Sequence, residues 1–177
     1  MKEITKLGKY LFIICAVAGF ALAGTNYLTE KKITSQKLKA ENIALKEVLP
    51  IASCFETKDI FPKNGFDEKN NIVGYVLKVT ASGYSSQIEA LVGIDEDFKI
   101  TGVKILSQNE TPGLGTKISE ENFLSQFTGK ISEKILLKKD SKVGEIDGVT
   151  SATISSRAIT NGIREKINEF LKEKTAK

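Results

Sequence analysis

Residues 72–106, IVGYVLKVTASGYSSQIEALVGIDEDFKITGVKIL, carry the pattern that decides the fold. Three β-branched, partly alternating runs, at 72–81, 87–94 and 98–106, are separated by residues 82–86 (SGYSS) and by Asp95, Glu96 and Asp97. Period-two alternation turns one apolar face to a core, and short polar breaks join neighbouring strands. The expectation is an antiparallel meander. Upstream, residues 51–71 hold Pro62, Gly65 and a polar run ending at Asn71, which predicts irregular structure or a weak first strand. Downstream, Ser119 before Glu120 and Glu121 starts a short helix to about Phe127, with acidic residues at its positive end. Residues 135–138 read as one more strand. From about Ser156 to Lys172, apolar Ile159, Ile163, Ile167, Phe170 and Leu171 recur at helical spacing, so an amphipathic helix closes the chain over the sheet. Strands first and helices mostly later define an α+β fold.

The other end of the chain is different. Residues 10–28, YLFIICAVAGFALAGTNYL, are uncharged and span ~28 Å as a helix, close to the ~30 Å hydrocarbon core of a bilayer. Tyr10 and Tyr27 lie near its ends, with Lys9 and Lys31 outside them. The segment therefore reads as a retained transmembrane anchor. A cleaved signal peptide ending at Ala21, Leu22 and Ala23 is the alternative, although the apolar run continues past that point. Residues 30–49 carry apolar positions at roughly helical spacing up to Pro50, as a stalk would. The expected organisation is a tail (1–9), a transmembrane helix (10–28), a helical stalk (29–50) and a domain (51–177).

Composition narrows the chemistry. Of 177 residues none is His or Trp, which removes His-based nucleophiles, proton shuttles and metal ligands. Cys15 and Cys54 are too few for a zinc or iron–sulfur site, and read as small buried apolar residues; no metal site is expected. The formal net charge of +4 comes entirely from residues 1–9 and 30–49, which flank the apolar run and suit anionic lipid; residues 50–177 balance to zero. With only two arginines, Arg157 and Arg164, nucleic-acid binding is excluded as a working idea.

Two motifs remain. Residues 110–115, ETPGLG, follow the third strand: Pro112 fixes one φ, while Gly113 and Gly115 permit positive φ and close approach of a ligand. Either a Pro-Gly turn with a capping Thr or a ligand loop fits. Residues 147–156, DGVTSATISS, crowd hydroxyls at the entry to the last helix. They suit an N-cap, or an anion site in which free N–H groups and the helix dipole hold a phosphate.

Together these motifs resemble the FMN-binding domain of RnfG, the G subunit of the Rnf electron-transport complex. The same domain occurs in NqrC, the C subunit of the sodium-pumping NADH:quinone reductase. The order matches as well: an N-terminal transmembrane helix, a strand-rich middle with Gly83 and Tyr84, ETPGLG, then the threonine motif before a C-terminal helix. The resemblance implies FMN joined by a phosphoester bond to Thr153, within an element formed by Thr150, Ser151, Ala152 and Thr153. Ser151 stands where Gly is usual, and Gln108 where many relatives have His. Asp147, Gly148 and Ser155 fall in the flavinylation motif, Asp147 as a recognition point for the FMN transferase. Glu110, Thr111, Leu114 and Gly115 would approach the isoalloxazine ring, and Lys117 would neutralise the reduced flavin. No side chain is then catalytic. The implied protein is a single-pass component of a bacterial or archaeal cell membrane, its domain extracytoplasmic, working with the A, B, C, D and E components of the Rnf complex, membrane lipid and the transferase. It would be an electron carrier rather than a complete enzyme. The alternative is a membrane-anchored assembly or binding module without flavin.

Overall fold

The computed structural model describes residues 2–57 and 60–175; the first residue of the expected tail and residues 58, 59, 176 and 177 of the expected domain lie outside them. The chain divides into two compact units, residues 1–40 and residues 41–177. Helix α1 (Lys2–Val48) supplies the first unit and enters the second. Within it, Lys6–Glu30 is long and apolar enough to cross a membrane, and none of its apolar window is buried in protein. Thr25 and Thr29 donate their hydroxyls back to the carbonyls of Ala21 and Thr25, at 3.0 and 2.7 Å. These polar atoms are thus satisfied inside the helix, as lipid requires.

The second unit is built on a five-stranded antiparallel sheet in sequential order: β1 (Cys54–Phe55), β2 (Lys63–Phe66), β3 (Ile72–Ser82), β4 (Gln87–Asp95) and β5 (Ile100–Ser107). The α+β expectation and the meander are therefore observed. Alternation divides the side chains as period two requires. Tyr75, Leu77, Val79, Ile88, Ala90, Val92 and Ile94 face one core with α3 (Thr153–Thr175), whose Ile159, Ile163 and Ile167 are fully buried. Each of those isoleucines contributes ~1.5–3 kcal/mol of burial. Val76 and Leu91 face a second core with Ala44, Leu45, Val48 and Leu49, so the compact unit begins at Glu41, earlier than the expected boundary at 51. The end of α1 comes this close because Gly93 and Gly102, paired across β4 and β5, leave room for Val48, where a Cβ would collide with its backbone. The Thr101 hydroxyl then donates to the Val48 carbonyl at 2.5 Å, satisfying an acceptor orphaned by the helix end.

Several local expectations are corrected. β5 starts at Ile100 rather than 98, because Phe98 takes φ 60° in a turn in which Asp95 accepts the Lys99 N–H at 2.9 Å. The helix expected from Ser119 is broken: Ser119 ends a 3₁₀ turn (Gly115–Ser119), Glu120 is extended, and α2 is the short Glu121–Leu124, followed by a second 3₁₀ turn (Ser125–Phe127). Residues 135–138 form no strand beyond one parallel bridge from Leu137 to Ile146; Ile135 and Leu137 are apolar because they enter the core. Helix α3 starts at Thr153, not Ser156. Cys54 is exposed on an edge strand instead of buried, and Cys15 is exposed on α1.

Candidate functional site

Glu110 organises the end of the sheet where β3 turns into β4. It is 4% exposed, yet makes five hydrogen bonds. The Tyr84 N–H donates to Oε2 at 3.1 Å, and the N–H groups of Ser85 and Ser86 donate to Oε1 at 3.1 and 3.0 Å. The Ser86 hydroxyl donates to Oε1 at 3.1 Å, and the Ser155 hydroxyl, from the first turn of α3, donates to Oε2 at 2.6 Å. Burial alone would raise the carboxyl pKa, but the Ser155 hydroxyl and the three backbone donors outweigh it and hold the group below its ordinary value. One carboxylate thus binds a turn, its own loop and a helix start. Gln108 supports it by accepting the Glu110 N–H at 2.7 Å.

The loop that follows is tight. Gly113 takes φ 74°, which an L side chain rarely adopts, and its N–H donates to the Thr116 hydroxyl at 3.0 Å. Gly115 is required for a different reason: a Cβ there would lie 2.6 Å from Glu110 Cβ. The hydroxyl that braces this turn is that of Thr116, not Thr111.

At the entry to α3 the hydroxyl cluster does not cap the helix. Ala152, the residue before the first turn, has no side-chain oxygen. Ser155 is committed to Glu110, while Ser156 donates to the Ala152 carbonyl at 2.9 Å and accepts the Val149 N–H at 3.0 Å. Among the described residues the N–H groups of Thr153, Ile154 and Ser155 have no acceptor, and the Thr153 hydroxyl has no partner. Three free donors at the positive end of a 23-residue helix are suited to an anion.

The two motifs meet across a cleft of about 310 Å³ lined by Tyr84, Glu110, Thr111, Leu114, Gly115, Ser151, Ala152, Thr153, Ile154 and Ser155. That volume lies at the lower end of the ~300–1,000 Å³ typical of cofactor pockets. Tyr84, Leu114 and Ile154 expose apolar surface there, which suits a flat aromatic ring beside a phosphate-binding helix end. Lys117, Thr150, Asp147 and Gly148 do not line the cleft. Lys117 is exposed; Asp147 pairs with Lys138 at 2.6 Å, and its backbone N–H donates to the Gln126 side chain at 2.7 Å. Tyr84 and Ile154 join the lining although neither is expected as a site residue from the sequence. The signals for Tyr84 are its place in the Gly83-Tyr84 element of the resemblance and its being an aromatic residue in an otherwise hydroxyl-rich turn.

The chain is similar to known proteins along most of its length. The family model of the FMN-binding domain covers residues 83–168, and that of the RnfG N-terminal region covers residues 1–48. The chain is 39% identical over 192 residues to the G subunit of the Na(+)-translocating ferredoxin:NAD(+) oxidoreductase complex of Acetobacterium woodii, covering 96% of this chain and 92% of that protein. It is 30% identical over 172 residues to the G subunit of the proton-translocating complex of Clostridium ljungdahlii, covering 94% and 91%. The G subunit of the ion-translocating oxidoreductase complex of Methanosarcina acetivorans is 32% identical over 179 residues, covering 94% of each chain. The crystal structure of Shewanella oneidensis NqrC shares the fold, with a TM-score of 0.50 over 73% of this chain and 74% of that one, at 22% identity.

Proposed function

The chain belongs to the RnfG family, the G subunits of ion-translocating ferredoxin:NAD(+) oxidoreductase (Rnf) complexes, and from that membership we propose that it relays electrons through an FMN esterified to Thr153. The observation that carries the attachment is the Thr153 hydroxyl, unpartnered among the described residues, bordering the cleft and next to three free helix N–H groups. A phosphodiester left there keeps one negative charge, which the helix end stabilises. Attachment forms a bond from Thr153 Oγ1 to the flavin-side phosphorus of FAD, breaks the pyrophosphate, and releases AMP and the hydroxyl proton. A transferase with Mg²⁺ would catalyse it, recognising the exposed segment at Asp147, Gly148 and Thr150.

The flavin supplies the redox chemistry, and the chain's own residues bind and orient it. Tyr84, Leu114 and Ile154 would pack the ring, Gly115 would admit it near the backbone, and Ser151 and Ala152 would shape the phosphate end. Lys117, outside the cleft lining, would act only at longer range. Residues 10–28 would cross the membrane once, leaving the FMN-binding domain outside the cytoplasm, where tethering prevents loss of the cofactor. Electrons would then pass between this flavin and the redox groups of the A to E components of the Rnf complex. The ion is not a property of this protein alone, since similar relatives belong to Na⁺- and proton-translocating complexes.

In-gel flavin fluorescence of the denatured chain, co-expressed with an FMN transferase, tests the attachment. A fluorescent band is expected for the wild type and none for Thr153→Ala. A band that survives in Thr153→Ala would move the attachment to another hydroxyl such as Thr150 or Ser151. No band in the wild type would leave the flavin-free assembly module.

A further inference from the structure

Glu110 is a buried ionisable group to which the relay as described gives no redox role. Its five donors are three backbone N–H groups and two serine hydroxyls, all neutral, and no cation pairs with it among the described residues. Such bonds keep a carboxylate ionised without cancelling its charge. It also lines the cleft. Resting on the proposed flavin reading, we infer that Glu110 is a fixed, uncompensated negative charge that lowers the reduction potential of the flavin in this cleft.

The physical basis is Coulombic. An electron taken up without a proton adds negative charge to the ring, and a nearby buried anion opposes that step more strongly than a solvated one does. Uptake of an electron together with a proton adds no charge and escapes the penalty. Glu110 therefore also makes the reduced flavin hold its dissociable proton to higher pH. No charged side chain of the surrounding elements neutralises it, and the positive end of α3 serves the phosphodiester of the proposed attachment. The turn at 83–86 brings only the Tyr84 phenol, and the segment 110–119 brings Lys117, which is exposed and outside the cleft lining. Arg157 on α3 is engaged by Asp140 at 2.6 and 2.7 Å, and Asp147 by Lys138 at 2.6 Å.

The test is a reductive titration of the full-length, flavin-loaded chain in detergent, from mildly acidic to alkaline pH. Glu110→Gln is expected to shift the midpoint potential positive, most at alkaline pH. Ser155→Ala, which removes one hydrogen bond but keeps the charge, should show no comparable positive shift, and Glu110→Asp should stay nearer the wild type. A Glu110→Gln potential at the wild-type value overturns the inference, as does an equal positive shift in Ser155→Ala, which a purely structural bracket would give. Should Glu110→Gln not fold or load flavin, the wild type decides. The pKa of its reduced flavin is expected above that of free FMN, and a value at or below it overturns the inference. Loss of the fluorescent band marks failure of the attachment, whereas a loaded chain whose potential ignores residue 110 marks failure of this inference alone.

Discussion

Ser151 takes φ 65°, one of three non-glycine residues with positive φ among the described residues. An L side chain in this left-handed region costs ~1–2 kcal/mol, and glycine removes that cost while losing ~0.5–1 kcal/mol of chain entropy. This explains why glycine suits the position that Ser151 occupies, and why a small residue is tolerated: the side chain is exposed at the cleft rather than packed. Ser151→Gly is therefore expected to stabilise the domain by ~0.5–1 kcal/mol in denaturant unfolding, with flavin attachment at Thr153 preserved. Destabilisation would mean that the Ser151 hydroxyl makes a contribution larger than the backbone strain. The neighbouring hydroxyls divide the labour differently: Ser155 serves Glu110, Ser156 serves the backbone before α3, and Thr153 is left over.

The segment between the 3₁₀ turns and α3 has almost no regular structure, so side-chain ties position it. Glu145 is the centre of one tie, accepting from Lys130 Nζ at 2.6 Å and Lys134 Nζ at 2.7 Å. These lysines, Lys130 first, lower its pKa from 4.5 to about 2. A lowered folded-state pKa means that the unfolded chain binds the proton more readily, so the stabilisation is complete above pH 4.5 and is lost as pH falls towards about 2. The stability difference between the wild type and Glu145→Gln is expected to follow that window in pH-dependent unfolding, present at neutral pH and vanishing in strong acid. A gap independent of pH would assign the role of Glu145 to packing instead. Ties of this kind explain what the sequence could and could not disclose. Strands β3 to β5 and the buried stripe of α3 were legible because burial repeats with periods of two and 3.6 residues. The core-bound run around Leu137 follows from contacts distant in sequence, while the left-handed Phe98 and the extended Glu120 are single-residue departures that no hydrophobic period encodes. The site divides in the same way: both motifs were legible from their Gly, Pro and hydroxyl content, but the bond from Ser155 to Glu110 joins residues 45 apart.

For the molecule as a whole, charge and exposure separate along the chain. The basic excess flanks the apolar helix, where anionic head groups would neutralise it, and the region proposed to carry the flavin is electrically neutral, so an uncompensated Glu110 acts on its cleft without a strong surrounding field. Flanking lysines on both sides of the span give the positive-inside rule little to choose between, so orientation has to be measured. The two cysteines make that measurement direct. Cys54 is exposed on β1 in the domain, whereas Cys15 falls within the apolar segment proposed to span the membrane, where lipid would exclude water-soluble reagents. In intact cells a membrane-impermeant maleimide is expected to label Cys54, with Cys54→Ser abolishing the label and Cys15→Ser leaving it unchanged. Labelling that appears only after the cells are broken would place the domain in the cytoplasm. Tethering would then offer no protection against loss of FMN, because cytoplasmic FMN is replaceable.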